Sequence, residues 1–137
     1  MWWLYALLSA LFASLTAIFA KIGIIGVNSN LATAIRTVII LMVAWGIVLA
    51  RGEQKGIATL SKQNVTFLVI SGIATGLSWV FYFKALQIGK VSQVAPVDKL
   101  SVALTILLSF LFLGEELTAK TIVGALLIIG GTVVLIF

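Results

Sequence analysis

Five apolar runs, each of about twenty residues or slightly more, divide this chain, and its polar residues gather in the short stretches between them. A helix needs about 20 mostly apolar residues to cross a hydrocarbon core of roughly 30 Å. On that measure the pattern predicts five transmembrane helices, over about 3–26, 31–50, 65–88, 92–113 and 118–137. Every connection is short except "RGEQKGIATLSKQN", residues 51–64. Strands of a membrane barrel would alternate apolar and polar over about 10 residues, whereas these runs are continuously apolar. The expected fold class is therefore an all-α integral membrane protein, with residues 1–137 forming one transmembrane domain. The first run, "MWWLYALLSALFASLTAIFAKIG", lacks the basic region that opens a signal peptide and is too long without charge. It reads as a retained helix, with Trp2, Trp3 and Tyr5 suited to an interfacial aromatic belt.

Composition points the same way. Of 137 residues 62% are hydrophobic and 9% charged, against roughly 25% charged in a soluble domain. A soluble chain of this size leaves about 30% of its unfolded surface exposed and could not hide so much apolar area. The solvent for most of the chain must be lipid. The formal charge of +5 comes from cations scattered singly, with no basic stripe to follow a phosphate backbone, so nucleic acid is not an expected partner. Cysteine and histidine are both absent, which removes disulfides, thiolate nucleophiles and the commonest general base and metal ligand. No metal or cofactor is expected.

Calling the amino-terminal side A and the other side B, the side A loops carry Arg51, Lys55, Lys62 and Lys120, and the side B loops only Lys90. That bias would place side A in the cytoplasm. Lys21, Arg36, Lys84 and Lys99, however, lie near the B ends of their helices and cancel it. Insertion in both orientations is compatible with such a balance.

Those same residues form the main chemical signal. At 1.5 Å per residue, Lys21, Arg36, Lys84, Asp98 and Lys99 each fall roughly 6–10 Å inside the B boundary of their spans. For the cations the structural reading is snorkelling, with long stems in the apolar layer and heads at the interface. Asp98 is too short for that. A carboxylate inside a span costs about 2.5–3.5 kcal/mol at a helix centre, so it is expected to face a partner in the protein interior. Lys99 is the wrong partner by helical geometry, since adjacent residues point about 100° apart. Lys84, Arg36 or Lys21 are better placed. Both a structural ion pair and a substrate or proton site remain open for Asp98. Pro96 either tidies the helix start or kinks the helix and frees a carbonyl toward a cavity. Trp79, Tyr82 and Phe83 could wall such a cavity, although Tyr82 also suits the interface.

Small residues mark packing. Gly72 and Gly76 lie one turn apart in "SGIATG", and Ser9, Ala13 and Ala17 form a similar stripe. Such stripes let helix backbones approach closely. One shared offset aligns Lys21 with Lys84, Gly26 with Gly89, Arg36 with Lys99 and Glu53 with Glu116, a faint echo of the first helix pair in the second. Glu115 and Glu116 read as acids favoured ahead of the last helix, and Thr118 as its cap. No nucleophile–base pair or phosphate-binding loop can be assembled, so an enzyme is not expected.

The stretch "FKALQIGKVSQVAPVDKLSVALTILLSFLFLGEELTAKTIVGALLIIGGTVVL", 83 to 135, resembles the second half of an EamA domain of the drug/metabolite transporter superfamily. It matches through Phe83-Lys84-Ala85-Leu86 at a helix end, the Pro96 helix, Gly114-Glu115 before the last helix, and Gly124 within it. "FAKIG" and the five-helix plan extend the likeness to the first half. The resemblance implies a secondary carrier of small metabolites, with a cavity opening alternately to each side. Most relatives carry two such domains in opposite orientation, so this chain corresponds to half of a ten-helix fold. It would need an antiparallel second copy, or an oppositely oriented paralogue, to supply two equivalent gates.

The leading expectation is thus a transporter in the plasma membrane of a bacterium or archaeon. Asp98 would be the titratable group, and Lys99, Lys84, Arg36 and Lys21 would attract an anionic or zwitterionic solute. A small dual-topology ion channel, with the charges as a selectivity ring, and an accessory subunit of a larger transporter are the alternatives. A small multidrug antiporter fits less well, because no acid precedes Lys21 in the first helix.

Overall fold

The computed structural model describes residues 1–137 throughout and is helical. Helix α1 spans Trp2–Gly23, α2 Ser29–Ala50, α3 Lys62–Ile88, α4 Val91–Asp98, α5 Leu100–Leu108 and α6 Ala119–Ile136. A 3₁₀ segment, Glu53–Thr59, links α2 to α3, and a π-helical segment, Ser109–Leu113, continues α5. Five spans are long and apolar enough to cross a membrane: α1, α2, α3, the stretch Val91–Leu113, and α6. The 22 residues of α2 cover about 33 Å at a 1.5 Å rise, matching a hydrocarbon core of roughly 30 Å. Almost none of the side chains within these spans is buried by the chain itself. Large apolar groups such as Phe81 and Val134 lie open, 72% and 78% exposed. Water would not tolerate that surface, whereas hydrocarbon does.

Local signals explain where the helices begin and end. Asn28 caps α2, its side-chain oxygen accepting from the Asn30 and Leu31 N–H groups at 2.9 and 3.3 Å. Ser61 does the same for α3 through the Asn64 N–H at 3.1 Å, so this helix starts three residues earlier than its apolar run. Thr118 caps α6 as expected, accepting from the Thr121 N–H at 3.2 Å. Gly114 closes the π segment at φ 68°, a left-handed conformation that costs glycine nothing and a residue with a Cβ about 1–2 kcal/mol. Within the spans, hydroxyls fold back on their own helices. Thr33, Thr37, Thr66 and Thr75 each donate to the carbonyl four residues earlier at 2.9 Å. That keeps them satisfied where lipid offers no partner.

The fourth span differs from the single helix expected over 92–113. It is interrupted at Lys99, between α4 and α5. Pro96 lacks the N–H that would bond the Ser92 carbonyl. Three residues on, the chain tightens, and the Lys99 N–H bonds the Pro96 carbonyl at 3.0 Å and the Ala95 carbonyl at 3.3 Å. The proline is thus inside the helix, and the break falls one turn after it.

The chain divides into two units, Ala20–Gln87 and the combination of Met1–Phe19 with Ile88–Phe137. In the Ala20–Gln87 unit, burial concentrates at one end: Ala20, Ile24, Ser29, Thr33, Phe83 and Leu86. These residues belong to the last turns of α1 and α3, the first turns of α2 and the α1–α2 connection, which is the side B end of the three helices. In the other unit α4 and α5 both pack on α6. Thr132 of α6 is buried there, its hydroxyl 2.8 Å from the Ile128 carbonyl of its own helix and 3.2 Å from that of Pro96. A carbonyl disturbed by the proline break thereby gains a second donor.

Candidate functional site

One face of α3 organises the Ala20–Gln87 unit. Trp79, Phe83, Leu86 and Gln87 recur at spacings of three and four, so they project from the same side of the helix. Phe83 and Leu86 are fully buried, at 1% and 0% exposure. Gln87 donates through its amide to the Val27 carbonyl at 2.8 Å, tying the α1–α2 connection to α3. The Lys21 ammonium donates to the Leu86 carbonyl. That carbonyl belongs to the last turn of α3, where no following N–H completes the helical ladder, and a cation there also meets the negative end of the helix dipole. Lys21 therefore does structural work at the end of α3.

Arg36 reaches the same face from α2. Its guanidinium carbon lies 4.6 Å from the Phe83 ring centroid and 5.3 Å from that of Trp79. Each contact falls within the ~6 Å at which a ring quadrupole attracts a cation, and each contributes about 0.5–2 kcal/mol according to how dry the site is. Tyr82 meets Phe83 edge-on, with centroids 6.2 Å apart and planes at 72°, so the ring under Arg36 is itself held. Arg36 joins neither of the two ion pairs and donates no hydrogen bond within the chain. Its N–H groups are held in position without being engaged.

Asp98 is differently placed. Its carboxylate pairs with Lys99, Nζ to Oδ2, at 3.1 Å. The expectation that helical geometry rules out Lys99 as a partner is therefore corrected. The 100° separation of neighbours holds for an unbroken helix, and Lys99 sits at the turn between α4 and α5, with a stem long enough to swing back. Side-chain exposures of 34% for Asp98 and 59% for Lys99 leave the pair open. Where water reaches such a pair it contributes about 0–1 kcal/mol, so Asp98 can exchange this partner at little cost.

The remaining candidates are spread along the helices. Lys84 is exposed on α3 and outside both ion pairs. Gly72 and Gly76 lie further along α3, and no atom comes within 4 Å of where a Cβ would stand at either. No helix of this chain makes the close approach expected there. Glu115 and Glu116 occupy the exposed stretch before Thr118, and Glu53 pairs with Arg51 at 3.0 Å beside the 3₁₀ segment. The aromatic hold on Arg36 is the feature that sequence spacing did not reveal. The recurrence of Trp79, Phe83 and Leu86 on one helical face was its available signal.

Five lipid-crossing helices, with ionisable groups set inside several of them, define a multi-pass helical membrane protein. Its sequence matches the model of the EamA-like transporter family over residues 1–137, and the chain belongs to that family. Among curated proteins, an "uncharacterized transporter in cobO 3'region" from a Sinorhizobium species is 46% identical over 134 residues, covering 98% of this chain and 95% of the relative. An uncharacterized protein of Methanocaldococcus jannaschii is 34% identical over 83 residues, covering 61% of each chain. No solved structure matches at a significant level. The protein is thus a membrane transporter by family.

Proposed function

We propose that residues 1–137 act as a single transmembrane domain of a secondary carrier for small metabolites. The carrier works by alternating access, with two copies inserted in opposite orientations. The observation that carries this reading is Asp98: a carboxylate inside a membrane span, at a helix break, held only by an open pair with its neighbour. An intramembrane acid is costly, and one left accessible is suited to binding and releasing a proton or a cationic group as the site changes sides. Membership of a transporter family supports the activity. A balanced distribution of cations on the two sides supports the antiparallel pair. Gly72 and Gly76, uncovered within the chain, would serve contact between copies. Relatives in Sinorhizobium and Methanocaldococcus support the plasma membrane of a bacterium or archaeon as the location.

The test compares cells expressing the natural chain with cells expressing Asp98→Asn at equal membrane abundance, following internal and external metabolite pools. The proposal expects one or a few small solutes to shift across the membrane with the natural chain and to stay at control levels with D98N. Pools indifferent to both proteins would contradict it. Currents too large for a carrier cycle would instead indicate a channel.

A further inference from the structure

We propose that Arg36, clasped by the rings of Trp79 and Phe83, binds the oxyanion of a ligand, a carboxylate or a phosphate, through the N–H edge of its guanidinium. Three observations converge on this. First, the two rings lie 4.6 and 5.3 Å from the guanidinium carbon. They fix the position of a planar fork whose donors match two oxygens of one oxyanion. Second, Lys21 and Lys99 each donate to an oxygen of the chain, a carbonyl and a carboxylate respectively, while Arg36 donates to none. Arg36 is half-buried, and its side-chain donors, unengaged within the chain, remain open to an anion. Third, Arg36 stands seven residues into α2, about 10 Å from its start, and is engaged sideways by a neighbouring helix. A snorkelling side chain would instead run along its own helix toward the interface.

The rings also limit what fits. Phe83 is fully buried and braced by Tyr82, so a ligand reaches the guanidinium by the N–H edge that the rings leave open. A flat carboxylate or one face of a phosphate can approach that edge, and a cation cannot. The anionic group could belong to a dissolved solute or to a lipid head group, and the chemistry at Arg36 is the same for both. Naming the solute as an anion rests on the carrier reading, whereas the binding itself does not.

Trp79 provides the readout. Replacing Trp2, Trp3 and Trp45 by phenylalanine leaves Trp79 as the sole tryptophan. Its emission is followed in dodecyl maltoside micelles, which contain no phosphate, at constant ionic strength set with sodium chloride. Sodium acetate, inorganic phosphate and phosphatidylglycerol are titrated separately. A saturable response to acetate or phosphate is expected, its affinity falling at least ten-fold in Arg36→Gln and several-fold in Arg36→Lys, which keeps the charge and loses the fork. A response confined to phosphatidylglycerol and lost in R36Q supports the same site and assigns it to a lipid head group. No response to any of the three, or equal affinities in R36K and the natural protein, would overturn the proposal. R36K guards against misfolding of R36Q. If binding depends on Arg36 but metabolite pools do not move on expression, the carrier reading fails and the site stands. If pools move and the Arg36 variants behave as the natural chain does, the site fails and the carrier reading stands.

Discussion

Arg36 and Asp98 are both ionisable groups inside membrane spans, and the structure treats them in opposite ways. Asp98 sits at a backbone break, pairs with the residue beside it and stays open. Arg36 sits on an unbroken helix, has no acid beside it and is gripped by two rings from another helix. In the first, the charge is compensated but loosely positioned. In the second, it is firmly positioned but uncompensated. Loose compensation suits a group that must change partners, and firm positioning suits a group that must recognise a shape. The contrast is thus one of role within the proposed carrier.

The comparison breaks most visibly at Asp98. Asp98→Asn is expected to lower the initial transport rate roughly 100-fold, about 2.7 kcal/mol at ~1.36 kcal/mol per decade, with the protein still monodisperse after purification. Lys99→Gln should cost about 3-fold or less, because an open pair contributes little beyond about 1 kcal/mol. Equal losses in the two variants would mean that the pair acts as a structural unit. On the Arg36 side, Phe83→Ala removes the fully buried ring under Arg36 and should destabilise the Ala20–Gln87 unit by about 3 kcal/mol, measured by steric-trap unfolding in bicelles. Trp79→Phe keeps a ring in place and should leave that stability nearly unchanged. Asn28→Ala, stripping the cap of α2, is expected to cost about 1 kcal/mol in the same assay. Smallest is Thr132→Val, which removes the hydroxyl near the Pro96 carbonyl. Hydrogen bonds between membrane helices average about 0.6 kcal/mol, so its effect should sit near the limit of detection.

How legible all this was depended on distance along the chain. The five spans could be read directly, because the bilayer demands continuous apolar runs and the sequence supplies them. Their ends shifted by a few residues wherever a cap acts ahead of the apolar run, as Ser61 does for α3 and Asn28 for α2. Pro96 announced a disturbance, but the break at Lys99 arises from a bond back to the proline carbonyl that no propensity encodes. Beside that break Lys99 pairs with Asp98, which the spacing of neighbours on a regular helix had spoken against. Arg36, Trp79 and Phe83 were each visible as candidates, yet their union depends on α2 meeting α3. Lys21 was likewise visible as a candidate, whereas its bond to the Leu86 carbonyl depends on α1 meeting α3.

The proposed pairing of two oppositely inserted copies can be tested through the orientation of the chain in the membrane. With no native cysteine, single cysteines can be placed at Gln54, in the 3₁₀ segment on side A, and at Asn30, exposed in the first turn of α2 on side B. Asn30 is chosen over Asn28 because Asn28 caps the helix. Intact cells are then labelled with a membrane-impermeant thiol reagent. The account predicts that both positions label, to comparable extents. Labelling at one position alone would fix a single orientation and contradict the antiparallel pair of identical chains.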